Sequence, residues 1–232
     1  MKFSLIIPCF NESANLPLLL ERCKDFARLP DVEVILVDNG STDDSPRVLR
    51  DLLPLYPGLR SIRVEKNQGY GFGILSGLSV AEGEILGWTH ADMQTDPQDA
   101  LRGLKLFEQY GSDIFVKGRR YGRPMSDVVF TVCMSLFETL LLRKPLWDIN
   151  AQPTMFSKRF YQSWQHPPHD FSLDLYAYYL ARSHHLDVHR FSVKFGDRAH
   201  GSSHWNINWA AKLKFIRRTV EFSIQLKKSL EP

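Results

Sequence analysis

Apolar positions along the first 117 residues follow two rhythms. Phe3–Ile7, Val32–Val37, Leu59–Val64, Glu84–Thr89 and Ile114–Val116 are short runs rich in Ile, Val and Leu. Several place apolar side chains at consecutive positions, which predicts strands buried on both faces, as in a parallel sheet. The intervening stretches change to helical spacing. Leu16, Leu19, Leu20 and Cys23 predict a helix from Asn15-Leu16 to Phe26, and Asp44–Leu53, Gly73–Val80 and Pro97–Glu108 read the same way. Pro97 suits a first helical position, with Asp96 as its N-cap. Alternation of strand and helix predicts an α/β fold with a mainly parallel central sheet flanked by helices. Ligands of such sheets bind beyond the carboxyl ends of the strands, here the loops after Ile7, Val37, Val64 and Thr89.

The second half is less regular. Met125–Leu142 predicts a long helix, Thr154–Phe156 a short strand, Ser172–Ser183 a helix, Val188–Phe195 an extended segment and Asn206–Lys228 a terminal helix. No repeat, low-complexity tract or Gly/Ser linker interrupts the chain. One domain over residues 1–204, followed by an amphipathic helix over 205–232, is expected. On a 3.6-residue wheel Trp209, Leu213, Ile216, Val220 and Ile224 share one face of that helix, widened by Phe215, Phe222 and Leu226. Lys214, Arg218, Glu221, Gln225 and Lys228 lie opposite. Such a helix suits a bilayer interface, its own domain or a second subunit, the last giving a homodimer. No stretch reaches the ~18 uninterrupted apolar residues of a membrane span. Val128–Leu142 is too short and carries Glu138. The expected membrane attachment is therefore peripheral.

Charge sharpens this division. The whole chain has a net charge of only +3, but residues 1–116 hold 11 basic and 17 acidic side chains, and the rest 18 basic and 9 acidic. The first half could hold a cation and the second could meet anions or an anionic membrane. Cys9, Cys23 and Cys133 form neither a metal pattern nor a disulfide framework, which suits a reducing cytosol.

The candidate chemistry lies in four loops. They are Pro8-Cys9-Phe10-Asn11-Glu12, Asp38-Asn39-Gly40-Ser41-Thr42-Asp43, Asn67 to Gly73 with glycines at 69, 71 and 73, and His90-Ala91-Asp92-Met93-Gln94. Singly, each is ordinary turn chemistry; together they occupy the ligand end of the expected sheet. Asp38 can accept hydrogen bonds from the N–H edge of a nucleobase. Glycines 69 to 73 permit close approach of the backbone to a ribose or phosphate at a helix N-terminus. Asp92 and Gln94 are hard oxygen donors for Mg²⁺ or Mn²⁺, a cation that would neutralise a departing diphosphate. In the basic half, Arg119, Arg120, Arg123, Lys194 and Arg198 are candidate phosphate contacts.

These segments resemble glycosyltransferase family 2, with the GT-A nucleotide-diphospho-sugar transferase fold, in particular its dolichol-phosphate mannosyltransferase and polyprenyl-phosphate glycosyltransferase branch. The order Pro8…Asn11-Glu12, Val37 to Ser41, Asn67…Gly69…Gly71…Gly77, Ala81 to Glu84, Ala91 to Gln94 carries the resemblance. Gly118-Arg119-Arg120-Tyr121, Phe171 to Asp174 and Arg198 to His204 extend it.

The resemblance implies a nucleotide- and metal-binding half over 1–117 and an acceptor half over 118–204. It implies an inverting, metal-dependent transfer from a UDP- or GDP-linked sugar to a polyprenyl phosphate at the cytoplasmic face of a membrane. Pro8, Phe10, Asn11, Glu12, Asp38, Asn39, Gly69, Gly71, Ala91 and Asp92 would bind the donor. Arg119, Arg120, Arg198, Ser203 and His204 would bind the acceptor phosphate. Asp148 and Gln152 would line the acceptor site, and Asp92, Gln94, Asp174 and Arg198 would serve catalysis. Asp174, or else Asp170, would be the base for a hydroxyl acceptor.

Two residues depart from the family pattern. His90 stands where a first carboxylate is usual; it is either a nitrogen ligand favouring Mn²⁺ or a polar wall residue. His204 replaces a lysine, leaving Arg198 as the main anion contact of its segment. Transfer to a saccharide is the rival activity. A nucleotide-sugar-binding protein is the non-enzymatic alternative. A nucleotidyltransferase lacks its Gly-rich basic signature after the first strand, and no nucleic-acid-binding module is present.

Overall fold

A computed structural model describes residues 2–200 and 209–228. Seven strands form one sheet: β1 (Phe3–Cys9), β2 (Val32–Asn39), β3 (Leu59–Val64), β4 (Ile85–Trp88), β5 (Ile114–Tyr121), β6 (Thr154–Ser157) and β7 (Asp187–Lys194). Their spatial order is β3-β2-β1-β4-β6-β5-β7. Strands β1 to β4 run parallel to one another, as do β5 and β7. Only β6 is reversed, with Thr154 opposite both Trp88 of β4 and Lys117 of β5. The runs that read as two-sided are indeed covered on both faces. Ile6, Ile35, Val37, Trp88, Phe115 and Phe156 point into one apolar layer. Leu5, Ile7, Val34, Leu36, Val116 and Met155 point into the other.

Helices α1 (Leu16–Cys23), α2 (Ser45–Leu52) and α4 (Asp99–Tyr110) supply Leu16, Leu19, Leu20, Leu49, Ala100 and Phe107 to the second layer. Helices α3 (Tyr70–Ser79), α6 (Lys158–Gln162) and α7 (Leu173–Ser183) supply Ile74, Phe160 and Tyr178 to the first. Helix α6 lacks a legible period because it is one turn long; its Ser157 Oγ caps it by accepting the Phe160 N–H. Helix α4 begins two residues after the expected Pro97. Asp96 accepts the Gln98 N–H in a preceding turn, and α4 starts beyond it. Helix α3 begins three residues before the expected Gly73, because backbone from a distant loop engages its first turn.

The long helix α5 (Met125–Leu142) and the terminal helix α8 (Trp209–Lys228) pack together. The docked face of α8 differs from the one centred on Leu213, Val220 and Ile224. Ser223 and Leu226 are buried, whereas Leu213 and Ile224 are exposed. The partner of Ser223 explains this choice: its hydroxyl meets the fully buried Glu138 carboxylate of α5 at 2.8 Å. Glu138 also changes the reading of α5. The helix is 18 residues long and, by length and composition, apolar enough to cross a membrane, with only 17% of that window buried. Its acid faces inward, so the outer stripe of Met125, Val129, Cys133, Leu136 and Leu140 carries no charge.

Burial pushes the Glu138 carboxyl up to about 7, with the Ser223 hydrogen bond opposing. A carboxyl raised on folding leaves the protein most stable below its ordinary unfolded value. The stabilisation is lost as pH rises through the folded value. Glu138→Gln removes that loss. Its melting temperature should match the parent near pH 4.5 and exceed it increasingly towards pH 8, by an amount corresponding to about 2–3 kcal/mol.

Candidate active site

A cleft of about 700 Å³ lies at the carboxyl edge of β1, β2 and β4. Reversal of β6 determines its far wall. Because β6 starts beside the carboxyl end of β4 and beside Lys117 midway along β5, α5 and the 143–153 loop remain at the ligand end of the sheet. The cleft is therefore lined from two sides. Pro8, Phe10, Glu12, Asn39, Gly69, His90, Ala91, Asp92 and Gln94 come from the first half. Arg120, Arg123, Asp174, Phe195, Arg198 and Arg218 are among the residues of the second.

Asp92 lies between these sides. Its Oδ1 accepts the Gln94 N–H at 3.1 Å, and its Oδ2 pairs with Arg198 Nη2 at 3.0 Å. The Gln94 Nε2 donates to the Gly196 carbonyl, and the Gly196 N–H donates back to the Gln94 carbonyl. The 92–94 turn is thereby tied to the segment carrying Arg198. Burial raises the Glu12 carboxyl; Asn15 opposes the rise, Asp92 adds to it and Arg198 opposes it.

His90 lies with its ring on Tyr70, centroids 5.5 Å apart, and Tyr70 stacks on Phe171 at 4.6 Å. The contact uses the face of the imidazole ring. No group of three His, Cys, Asp or Glu side chains suited to a metal occurs among the described residues. A hard cation nevertheless fits Asp92 in one way: one carboxylate completed by water and substrate phosphate is an ordinary Mg²⁺ arrangement. That fit requires the carboxylate oxygen now facing Arg198.

Several donor-side residues have structural work beside or instead of lining the cleft. Asp38 is 2% exposed, accepts the Ser41 N–H and pairs with Arg63 at 3.2 Å. Asn11 adopts a left-handed conformation and accepts the Thr42 N–H, fastening the first loop to the second. Asn39 donates to the Gly69 carbonyl. Glycines 69 and 71 admit a close approach of protein backbone. A Cβ on Gly71 would lie 2.6 Å from the Pro168 carbonyl, and one on Gly69 would collide with that of His169. The same His169 carbonyl accepts the Phe72 N–H, using a first-turn donor of α3.

On the acceptor side, Arg119 and Arg120 alternate across β5. Arg120 faces the cleft, whereas Arg119 is exposed and donates to Ser192. Arg120 forks onto the Asp148 carboxylate, Arg123 lies 3.8 Å from it, and Arg190 donates to the Asp148 carbonyl. Burial alone would raise the Asp148 carboxyl; Arg120 and Arg123 hold it below its usual range. Asp174 is 1% exposed and its Oδ1 accepts from Gln152 Nε2 at 2.8 Å and from Trp88 Nε1 at 3.3 Å. Beneath it, burial pushes the Lys117 ammonium down to about 7 as it donates to Thr154. Lys194 is exposed. Ser203 and His204 lie outside the described residues.

Tyr70, Asp127, Phe130, Thr131, Phe195 and Arg218 were not legible as site residues, yet all line the cleft. Arg218 pairs with Asp170 at 3.2 Å, which joins α8 to the acceptor-side loop. A helix wheel puts Arg218 on a polar face but cannot show that this face closes a cavity.

The model of glycosyl transferase family 2 matches residues 4–172, and the chain belongs to that family. The undecaprenyl-phosphate 4-deoxy-4-formamido-L-arabinose transferase of Photorhabdus laumondii is 37% identical over 54% of this chain and 39% of its own length. The protein of that name from Yersinia enterocolitica is 26% identical over 84% of this chain and 62% of its own. The chain thus spans less than two thirds of these relatives. Glucosyl-3-phosphoglycerate synthase from Mycobacterium tuberculosis, solved with uridine diphosphate, superposes with a TM-score of 0.72. It is 16% identical, and the match covers 98% of this chain and 80% of that one. The fold is GT-A, as the sequence predicts.

The Asp148 carboxylate is the shared counter-ion of two cleft arginines. Asp148→Asn keeps its size and its tolerance of a left-handed backbone but leaves those guanidinium groups unpaired. Chemical denaturation should show a loss of about 3–5 kcal/mol.

Proposed function

We propose that the chain is an inverting glycosyltransferase moving a sugar from a nucleotide diphosphate sugar to a polyprenyl phosphate. The observation that carries this reading is the cleft itself: Asp92 on the donor side faces Arg120, Arg123, Arg198 and Arg218 across one cavity. The similarity to undecaprenyl-phosphate sugar transferases supports the acceptor class.

The donor's nucleotide would lie along Pro8, Phe10, Glu12 and Asn39, with Asp38 beneath them shaping the base pocket through its Ser41 turn. Mg²⁺ or Mn²⁺ held by Asp92, with Gln94 beside it, would supply neutralisation of the departing diphosphate. The arginines hold the acceptor's phosphate with its oxygen in line with the anomeric carbon, opposite the leaving group. That oxygen is already anionic and needs no base. Asp174 fits this division of labour: its Oδ1 is occupied by Gln152 and Trp88, so it positions the cleft wall rather than receiving a proton. A saccharide hydroxyl would need the base that this carboxylate is poorly placed to provide.

The outer surface supports a membrane contact as part of this reading. The charge-free stripe of α5, together with Leu213 and Ile224 of α8, would rest in a bilayer interface. The site then opens beside the cytoplasmic leaflet, where polyprenyl phosphate is anchored. This assigns the contact to α5 first and only secondarily to α8.

Two experiments test the reading. Transfer from radiolabelled UDP- and GDP-sugars to polyprenyl phosphate should give organic-soluble product that Asp92→Ala abolishes without unfolding the chain. A water-soluble glycoside formed with saccharide acceptors instead would replace the acceptor class. In vesicle flotation, Leu136→Asp with Leu140→Asp should lose most binding while retaining the parent circular dichroism spectrum; undiminished binding would remove α5 from the contact.

A further inference from the structure

One guanidinium bridges the two sides of the site. Arg198 lines the side of the cleft that would receive the acceptor, yet its Nη2 holds Asp92 Oδ2 at 3.0 Å on the donor side. Both side chains are largely shielded, 24% and 10% exposed, so the pair is poorly screened. Arg198 also carries a buried Nε–H with no hydrogen-bond acceptor among the described residues. An unused buried donor beside a cleft has capacity to take an oxygen ligand. Its backbone is fixed nearby rather than drifting. Phe195 N–H donates to the Tyr121 carbonyl, and the Gly196–Gln94 exchange holds the next residue to the Asp92 turn. The side chain can therefore change partner while its anchor stays in place.

We infer that Arg198 is the exchangeable counter-ion of Asp92. It neutralises the carboxylate until a divalent cation takes that oxygen, and its freed guanidinium then turns to the acceptor's phosphate. Rested on the proposed metal role of Asp92, this makes loading of the donor the event that completes the acceptor site. The physical reason is that two cations cannot share one carboxylate oxygen without mutual repulsion, and Glu12 offers the guanidinium no second tight partner. No hydrogen bond links Arg198 to Glu12, only attraction through space. Coupling of this kind is reciprocal: whatever free energy the ion pair contributes to the unloaded protein is subtracted from cation binding.

The test uses Mn²⁺ alone, with no sugar donor or acceptor, measured by loss of the free-ion electron paramagnetic resonance signal. Arg198→Gln should bind Mn²⁺ roughly fivefold or more tightly than the parent, the lower end of ordinary site-to-site coupling. Arg198→Lys, which keeps a cation with fewer donors, should fall between them and serves as the probe if the glutamine variant does not fold. Asp92→Asn should lose binding. If either arginine variant, correctly folded, binds Mn²⁺ no more tightly than the parent while Asp92→Asn still loses it, the exchange is overturned and the metal role of Asp92 stands. If Asp92→Asn binds as the parent does, the metal role falls and the exchange falls with it.

Discussion

The direction of one four-residue strand organises this molecule. Had β6 run parallel to β4 and β5, α5 would have had to cross the sheet and return, as α1 to α4 do. Reversed, β6 begins level with the end of β4 and with Lys117 midway along β5, and the chain between β5 and β6 stays at the ligand edge. The donor loops then acquire an opposite wall made of α5, the 143–153 loop and, through Arg218–Asp170, α8. A purely parallel sheet would have provided a shallow crevice. The reversal turns it into a cleft with differently charged sides.

That charge has to be contained. Arg120, Arg123 and Arg190 converge at Asp148, whose backbone takes an uncommon left-handed turn with φ +44° to meet them. One carboxylate among three guanidinium groups leaves positive charge in excess, which suits a surface built to receive an anion. Lys117 and Asp174 form a second polar layer below, satisfied by Thr154, Gln152 and Trp88. Buried groups of this kind contribute more to defining one arrangement of the wall than to net stability.

Much of this was legible in the chain, and the gaps have identifiable causes. Strands and long helices could be read because burial on two faces or one leaves a period in the sequence. The donor loops could be read because strand ends fix where they lie. What could not be read depends on pairs distant in sequence. Nothing local says that Glu138 turns towards Ser223, which reorients α8 and strips the outer face of α5 of charge. Nothing local says that glycines 69 and 71 accommodate the carbonyls of 168 and 169. Nor does anything local give the partners that three candidate site residues find: Asp38 pairs with Arg63, Asn11 fastens two loops together and Arg119 donates across to Ser192.

The proposed bilayer contact of the α5 stripe would also set a height. A helix with its side chains is about 10–12 Å across, so one lying half-sunk along an interface holds its inner face only about 5 Å above that plane. Phe130 and Thr131 on that same helix line the cleft. A chain end tethered in the leaflet could reach the arginines by bobbing upward rather than by leaving the lipid. The search for the site would then be a two-dimensional one, governed by how often lipid and protein meet in the plane of the membrane.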